Sequence, residues 1–288
     1  MREFLHRSSL AHQVRSDCYQ LNGCLISGNF YENNIRNFVK KESLLEVLSN
    51  GAWIDLSHDF SSETIYWPNN PIGFKLDTQF NGITAGGFYY SSNAFFSPEH
   101  GGTHLDAPVH FAKGKWSADE IPLENLTGDA VVIDVSANTK NNPDYQITVA
   151  DIAAWEKTNA PIPTNAIVIF RTGWAAFYPN AATYLGTAEK GDAATADLHF
   201  PGIHPDAATW LIQNRTIKAV GIDAASIDYG QSKDFKTHQL FYEKNIVGFE
   251  NLTNLSALPA TGTYVIALPM KIKGGSGGPL RMIAWVKK

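Results

Sequence analysis

The chain has 288 residues, 44% of them hydrophobic and 18% charged, with a formal net charge of −5. That is the profile of a globular protein with enough chain for one large core or two small ones. No block of Lys or Arg offers a surface to nucleic acid or an anionic membrane, and no stretch approaches the roughly 18 apolar residues of a membrane span, so neither partner is expected.

Residues 1–50 differ from the rest and are read as an N-terminal extension. "MREFLHRSSLAHQVRSDCYQ" carries positive charge but no continuous apolar segment, which does not fit a secretory signal; the expected location is the cytoplasm. Cys18 and Cys24 are the only cysteines and read as free thiols, not as a disulfide framework or a metal pair. "ESLLEVLSN" (42–50) is a short helix candidate. The ordered domain is expected over 51–288, opening with "AWIDLSHDF", a strand followed by a loop.

Strands are then predicted at "DAVVIDV" (129–135), "NAIVIFRTGW" (165–174), "KAVGIDAASID" (218–228), "TYVIALPM" (263–270) and "LRMIAWV" (280–286). These are β-branched apolar runs between turn residues, and several are apolar on both faces, as buried strands are. Helices are predicted between them. "TVADIAAWEK" opens with Thr148 and places Asp151 three residues on, a capping-box pattern. "HPDAATWLIQN" has Pro205 at its first turn and Ala207, Trp210 and Leu211 on one face. "FKTHQLFYEKN" is the third. Strands interleaved with helices predict an α/β fold, and no repeat or linker divides the chain after residue 50.

The chemistry concentrates in "SPEHGGTHLDAPVHF" (97–111), which holds three of the nine histidines. The choice lies between a metal-dependent site and a histidine-rich turn. His100, His104, Asp106 and His110 all have even numbers, so on an extended chain they share a face. His104 and Asp106 would stand about 6.6 Å apart and reach one ion together. A straight strand cannot also bring in His100 and His110; Gly101-Gly102 upstream and Pro108 downstream supply the bends. A helix would place His100 and His104 on one side, but Gly-Gly-Thr between them disfavours it and Asp106 would fall off that side. Imidazole and carboxylate donors without thiolate suit Zn²⁺ or Mn²⁺, and three protein ligands leave room for water and substrate.

The string H-G-G-T-H-L-D-A-P-V-H matches H-x-G-T-H-x-D-x-P-x-H and resembles the signature of the cyclase-like metal-dependent hydrolases, which include bacterial kynurenine formamidases and isatin hydrolases. The resemblance runs over most of residues 53–286, through "IDLSHDFSSETIYWPNNP", "FPGIHPDAATWL", "VGIDAASID" and "LPMKIKGGSGGPLRMIA". It implies a single swivelling β/β/α domain, usually a homodimer or homotetramer. It implies that His100, His104 and Asp106 bind a first metal and that His110 transfers protons. His238 and Glu250 resemble the pair that binds a second metal bridged by the motif aspartate in the formamidase branch, so one or two ions are expected. Trp67 resembles a substrate-contacting aromatic residue. The implied activity is hydrolysis of an amide or cyclic amide of a small aromatic substrate, such as N-formylkynurenine or isatin. A lactone or ester hydrolase and a non-catalytic metal- or ligand-binding relative are the alternatives; the intact His110 argues against the latter.

The aromatic run Phe88, Tyr89, Tyr90, Phe95 and Phe96 offers walls for a flat aromatic substrate, but for most of it packing in the core or at a dimer interface is the preferred reading. "GGSGG" (274–278) matches a nucleophile elbow only formally. A strand follows it and no histidine lies beyond His238, so a hairpin turn is preferred. His58, His199 and His204 are given no metal role, with His204 a helix-start residue. Arg171 is read either as a carboxylate anchor or as half of a structural ion pair.

Overall fold

The computed structural model describes residues 43–288; Cys18 and Cys24 lie outside the described residues. The chain divides into Met1–Val47 and the compact unit Leu48–Lys288. The "ESLLEVLSN" candidate is a helix over Leu44–Ser49.

The compact unit is built on an eight-stranded sheet. Its strands are β1 (Gly51–Asp55), β4 (His104–Asp106), β5 (Thr127–Asp134), β7 (Ala166–Arg171), β9 (Ile217–Ile222), β10 (Val247–Glu250), β11 (Thr263–Pro269) and β12 (Gly277–Lys287). Two small pairs stand apart, β2 (Lys75–Ile83) with β3 (Tyr89–Phe96), and β6 (Gln146–Ile147) with β8 (Gly202–Ile203). The main order is β1-β12-β11-β5-β7-β9-β10-β4, with β4 also paired to β12. That last pairing curls the sheet into a barrel. β5, β7, β9 and β10 run parallel, and the strands that close the ring are antiparallel.

The parallel strands are apolar on both faces because both are covered. Along β7, Ile167 and Ile169 join an inner cluster with Leu105, Phe249 and Met282. The alternate residues Val168 and Phe170 join an outer cluster with Trp155, Leu211 and Phe241. Those outer partners come from the three predicted helices, α1 (Val149–Asn159), α2 (Pro205–Asn214) and α3 (Lys236–Tyr242). The capping box at Thr148 and Asp151 is formed, and His204 caps α2 by accepting from the Asp206 N–H. "KAVGIDAASID" is strand only to Ile222; Asp223 to Asp228 leave the sheet as a buried loop. "GGSGG" lies at the β11–β12 hairpin.

Candidate metal centre

The motif is extended as its alternation requires, but only over β4. His104 and Asp106 share the outer face, while Leu105 between them enters the inner cluster. Gly101 (φ 142°) and Gly102 (φ 56°) turn the chain before β4 in conformations that favour glycine. A single 3-10 turn at Pro108–His110 folds it back afterwards. His100 and His110 are thereby stacked, ring centroids 3.8 Å apart at 16°.

The second half of the cluster comes from β10 and α3. Glu250 lies opposite His104 in the antiparallel β10–β4 pair, so strand register delivers it to the motif. It is buried, not the exposed strand-end acid that its position alone suggests. His238 and Tyr242 lie one turn apart on α3 and both meet Asp106 Oδ2. His238 Nε2 stands 3.3 Å away, and the Tyr242 hydroxyl donates at 2.9 Å.

Each of three imidazoles is held by its far nitrogen. His104 Nδ1 donates to the Gly102 carbonyl at 2.9 Å. His238 Nδ1 donates to Asp228 Oδ2 at 2.5 Å. His100 Nε2 meets Ser276 Oγ at 2.8 Å, and because Ser276 donates its own proton to Glu99, the imidazole is the donor in that bond. In the neutral tautomers so fixed the near nitrogens are bare lone pairs, and all three face carboxylate oxygens. His100 Nδ1 is 2.7 Å from Asp106 Oδ1, and His104 Nε2 is 3.1 Å from the same atom. His104 Nε2 is 3.5 Å from Glu250 Oε2, and His238 Nε2 is 3.2 Å from Glu250 Oε1.

Lone pairs facing lone pairs at these distances are relieved by a cation between them, a proton or a metal ion. The same demand appears in the proton affinities. Burial alone would raise Asp106, but the surrounding imidazoles hold it well below the usual carboxylate range. Burial pushes His238 down, yet its contacts with Asp106, Asp228 and Glu250 hold it well above an ordinary histidine, and His104 is raised in the same way. Ligand atoms on one tetrahedral zinc stand roughly 3.3 Å apart, close to most of these separations. Ligand atoms of His104, Asp106 and Glu250 lie within 4.8 Å of one another, as do those of His100, Asp106 and His110, and His238 adjoins the first group, so the cluster fits a divalent metal ion.

His110 is different. Among the described residues none hydrogen-bonds to its ring nitrogens, and it borders the cavity. Burial, with the neighbouring imidazoles His100, His238 and His104 adding to it, lowers its pKa to about 4 against the pull of Asp106. It is thus a neutral base near neutral pH.

The cavity over the cluster has a volume of about 270 Å³. Trp67 lines it, packed against Phe200 and Phe235. Phe111 and Phe235, not singled out from the sequence, complete the aromatic wall. The run 88–96 does not: Phe88, Tyr89, Tyr90, Phe95 and Phe96 are exposed on the β2–β3 hairpin. These rings line neither the cavity nor the core: the ribbon is paired only with itself, outside the barrel sheet, and both of its faces are exposed. His58 stacks on Tyr178 away from the cluster, His199 pairs with Asp144, and Arg171 pairs with Asp134 as a structural ion pair.

The family profile described as "Putative cyclase" matches residues 54–229. The chain belongs to the cyclase family. Within it, the chain is 33% identical over 210 residues to the isatin hydrolase of Roseibium aggregatum, covering 70% of this chain and 77% of that one. It is 29% identical to the kynurenine formamidase of Salinibacter ruber, over 81% and 96% of the two chains. Isatin hydrolase A from Ralstonia solanacearum superposes with a TM-score of 0.75 at 34% identity, covering 86% of this chain and 98% of that structure. The swivelling α/β fold expected from the motif is the fold of this family member.

Proposed function

We propose that this chain is a metal-dependent hydrolase that opens the amide bond of a small, flat aromatic substrate, with an uncharged lactam of the isatin type preferred. One observation carries the reading. Three imidazoles fixed from behind aim bare nitrogens at two buried carboxylates, and a fourth, unfixed imidazole stands beside them under an aromatic cavity. His100, His104 and Asp106 would hold a first ion; Asp106, His238 and Glu250 would hold a second, with one Asp106 oxygen facing each set. Nitrogen and oxygen donors without thiolate suit Zn²⁺ or Mn²⁺.

A bound divalent ion supplies Lewis acidity, which polarises a carbonyl and makes water acidic enough to ionise near neutral pH. The chain's own residues do the rest. Neutral His110 takes the proton from the attacking water and returns it to the nitrogen as the C–N bond breaks. Trp67, Phe111 and Phe235 enclose the aromatic ring and exclude bulk water. The unpaired nitrogens of His110 also separate this reading from a binding module, which needs no proton carrier.

Substrate charge follows from the lining. Its charged groups are Asp106 and Glu250 with the histidines; Tyr66, Asn70, Ser226 and Asn251 are its neutral polar residues, and among the described residues no Lys or Arg lines it. Among the described residues no lining cation pairs with the α-carboxylate of N-formylkynurenine, whereas a neutral lactam leaves no charge unpaired. Glu250 favours the formamidase as the second reading, since it completes the second set of ligands. The Zn²⁺- and Mn²⁺-loaded protein should open isatin with a kcat/KM at least tenfold above that for N-formylkynurenine; the reverse ranking would shift the assignment to the formamidase. Absence of turnover on amides and lactones with either metal would leave only a binding protein.

The partner is a second copy of the chain, joined through the exposed aromatic hairpin. The low cysteine count supports a cytoplasmic enzyme.

A further inference from the structure

We infer that Glu99 and Ser276 are a positioning pair that sets the tautomer and ring direction of His100, and through it the affinity of the first metal position. The inference rests on the metal-dependent reading above and adds two residues to it. Neither lies at a position fixed by the motif.

The geometry forms a directed chain. Glu99 Oε2 accepts from the Ser276 hydroxyl at 2.6 Å and from the Ser276 backbone N–H at 3.0 Å. With its proton committed to the carboxylate, Ser276 Oγ has only lone pairs to offer His100 Nε2 at 2.8 Å. His100 must therefore carry a proton on Nε2, and the neutral ring leaves Nδ1 bare, 2.7 Å from Asp106 Oδ1. His104 and His238 are held the opposite way, by Nδ1, so they present Nε2. The hydroxyl thus selects a tautomer for His100 that differs from its neighbours.

The ring has no freedom to compensate. His110 covers one face at 3.8 Å. Its edge lies where Gly277 has no side chain; a Cβ there would sit 2.6 Å from His100 Cε1. The loop bearing Ser276 is also tied to the motif, because Ala107 N–H donates to the Ser276 carbonyl at 2.8 Å. Groups behind a metal-binding histidine raise its basicity and hold its orientation, and losing one typically lowers metal affinity 10–100-fold.

The test compares wild type with Ser276→Ala, Ser276→Thr, Glu99→Gln and the Glu99→Gln/Ser276→Ala double variant. Zn²⁺ affinity is read by chelator competition, and the melting temperature of each metal-free protein serves as the fold control. Ser276→Ala should lose roughly 10–100-fold in affinity with a metal-free melting temperature like that of wild type, and Ser276→Thr should restore it. Glu99→Gln should weaken binding alone but add nothing to Ser276→Ala, because the two act through one hydrogen-bond chain. Affinity within twofold of wild type in Ser276→Ala, or additive losses in the double variant, would overturn the inference. So would a loss of affinity in Ser276→Ala that merely tracks a fall in metal-free melting temperature. A wild-type protein that binds neither Zn²⁺ nor Mn²⁺ would instead overturn the metal-dependent reading on which it rests.

Discussion

Substituting His110 with alanine removes the imidazole whose ring nitrogens meet no protein partner among the described residues. Turnover should fall by about 10²–10⁴-fold while metal content per protomer, measured by elemental analysis, stays at the wild-type value. Loss of metal with turnover would make His110 a ligand instead. Glu250→Ala should remove the second ion and lower the metal count, since Glu250 is the carboxylate besides Asp106 that faces His238 Nε2; an unchanged count would leave a single-ion site. A pH effect belongs to His58, which burial pushes from 6.5 down to about 4, beyond the opposing pull of Asp59. Its folded form binds fewer protons than its unfolded form, so stability falls as pH drops from 6.5 towards 4 and is unaffected well above 6.5. His58→Phe, which keeps a ring to stack on Tyr178, should lessen the fall of the melting temperature across that window, to which His110, also lowered to about 4, contributes the remainder. At this scale the motif residues were legible because they fall within one short segment. Glu99 and Ser276 lie 177 positions apart, and no local pattern connects them.

The elements place the cluster by register. β4 is three residues long, yet it pairs with β10 on one side and β12 on the other. Glu250 and Gly277 are thereby set beside His104 and Asp106. Gly277→Ala would put a Cβ 2.5 Å from the Leu105 carbonyl as well as against His100. It should lower the melting temperature and weaken metal binding together, unlike Ser276→Ala, which should change binding alone; a melting curve with and without chelator distinguishes the two. The central strands were legible from their two apolar faces, and α1 and α2 from the capping box at Thr148 and from Pro205. The barrel closure was not, because the partner of a three-residue strand leaves no periodic trace in sequence. Nor was the β2–β3 hairpin, where aromatic content suggested a wall or packing and a ribbon paired only with itself leaves the rings exposed on both faces.

On the whole molecule, the hairpin stands apart from the barrel sheet with Leu76, Ile83, Phe88, Tyr89 and Phe95 each more than half exposed. An isolated two-stranded ribbon is marginal in water, and apolar surface of this kind marks an interaction site. Replacing Phe88 and Phe95 with serine should shift the protein to monomer in light scattering coupled to size exclusion; an unchanged mass would remove the hairpin from the interface. The same replacements should leave metal content intact, because the cluster is built wholly from β4, β10, α3 and the segments flanking β4. No helix among the described residues is long and apolar enough to cross a membrane. The most direct test of the account is removal and restoration of metal. Chelated protein should be inactive on isatin and regain turnover with Zn²⁺ or Mn²⁺, and Asp106→Ala should neither retain metal nor recover. Hydrolysis that persists without metal, or that survives the loss of Asp106, would contradict it.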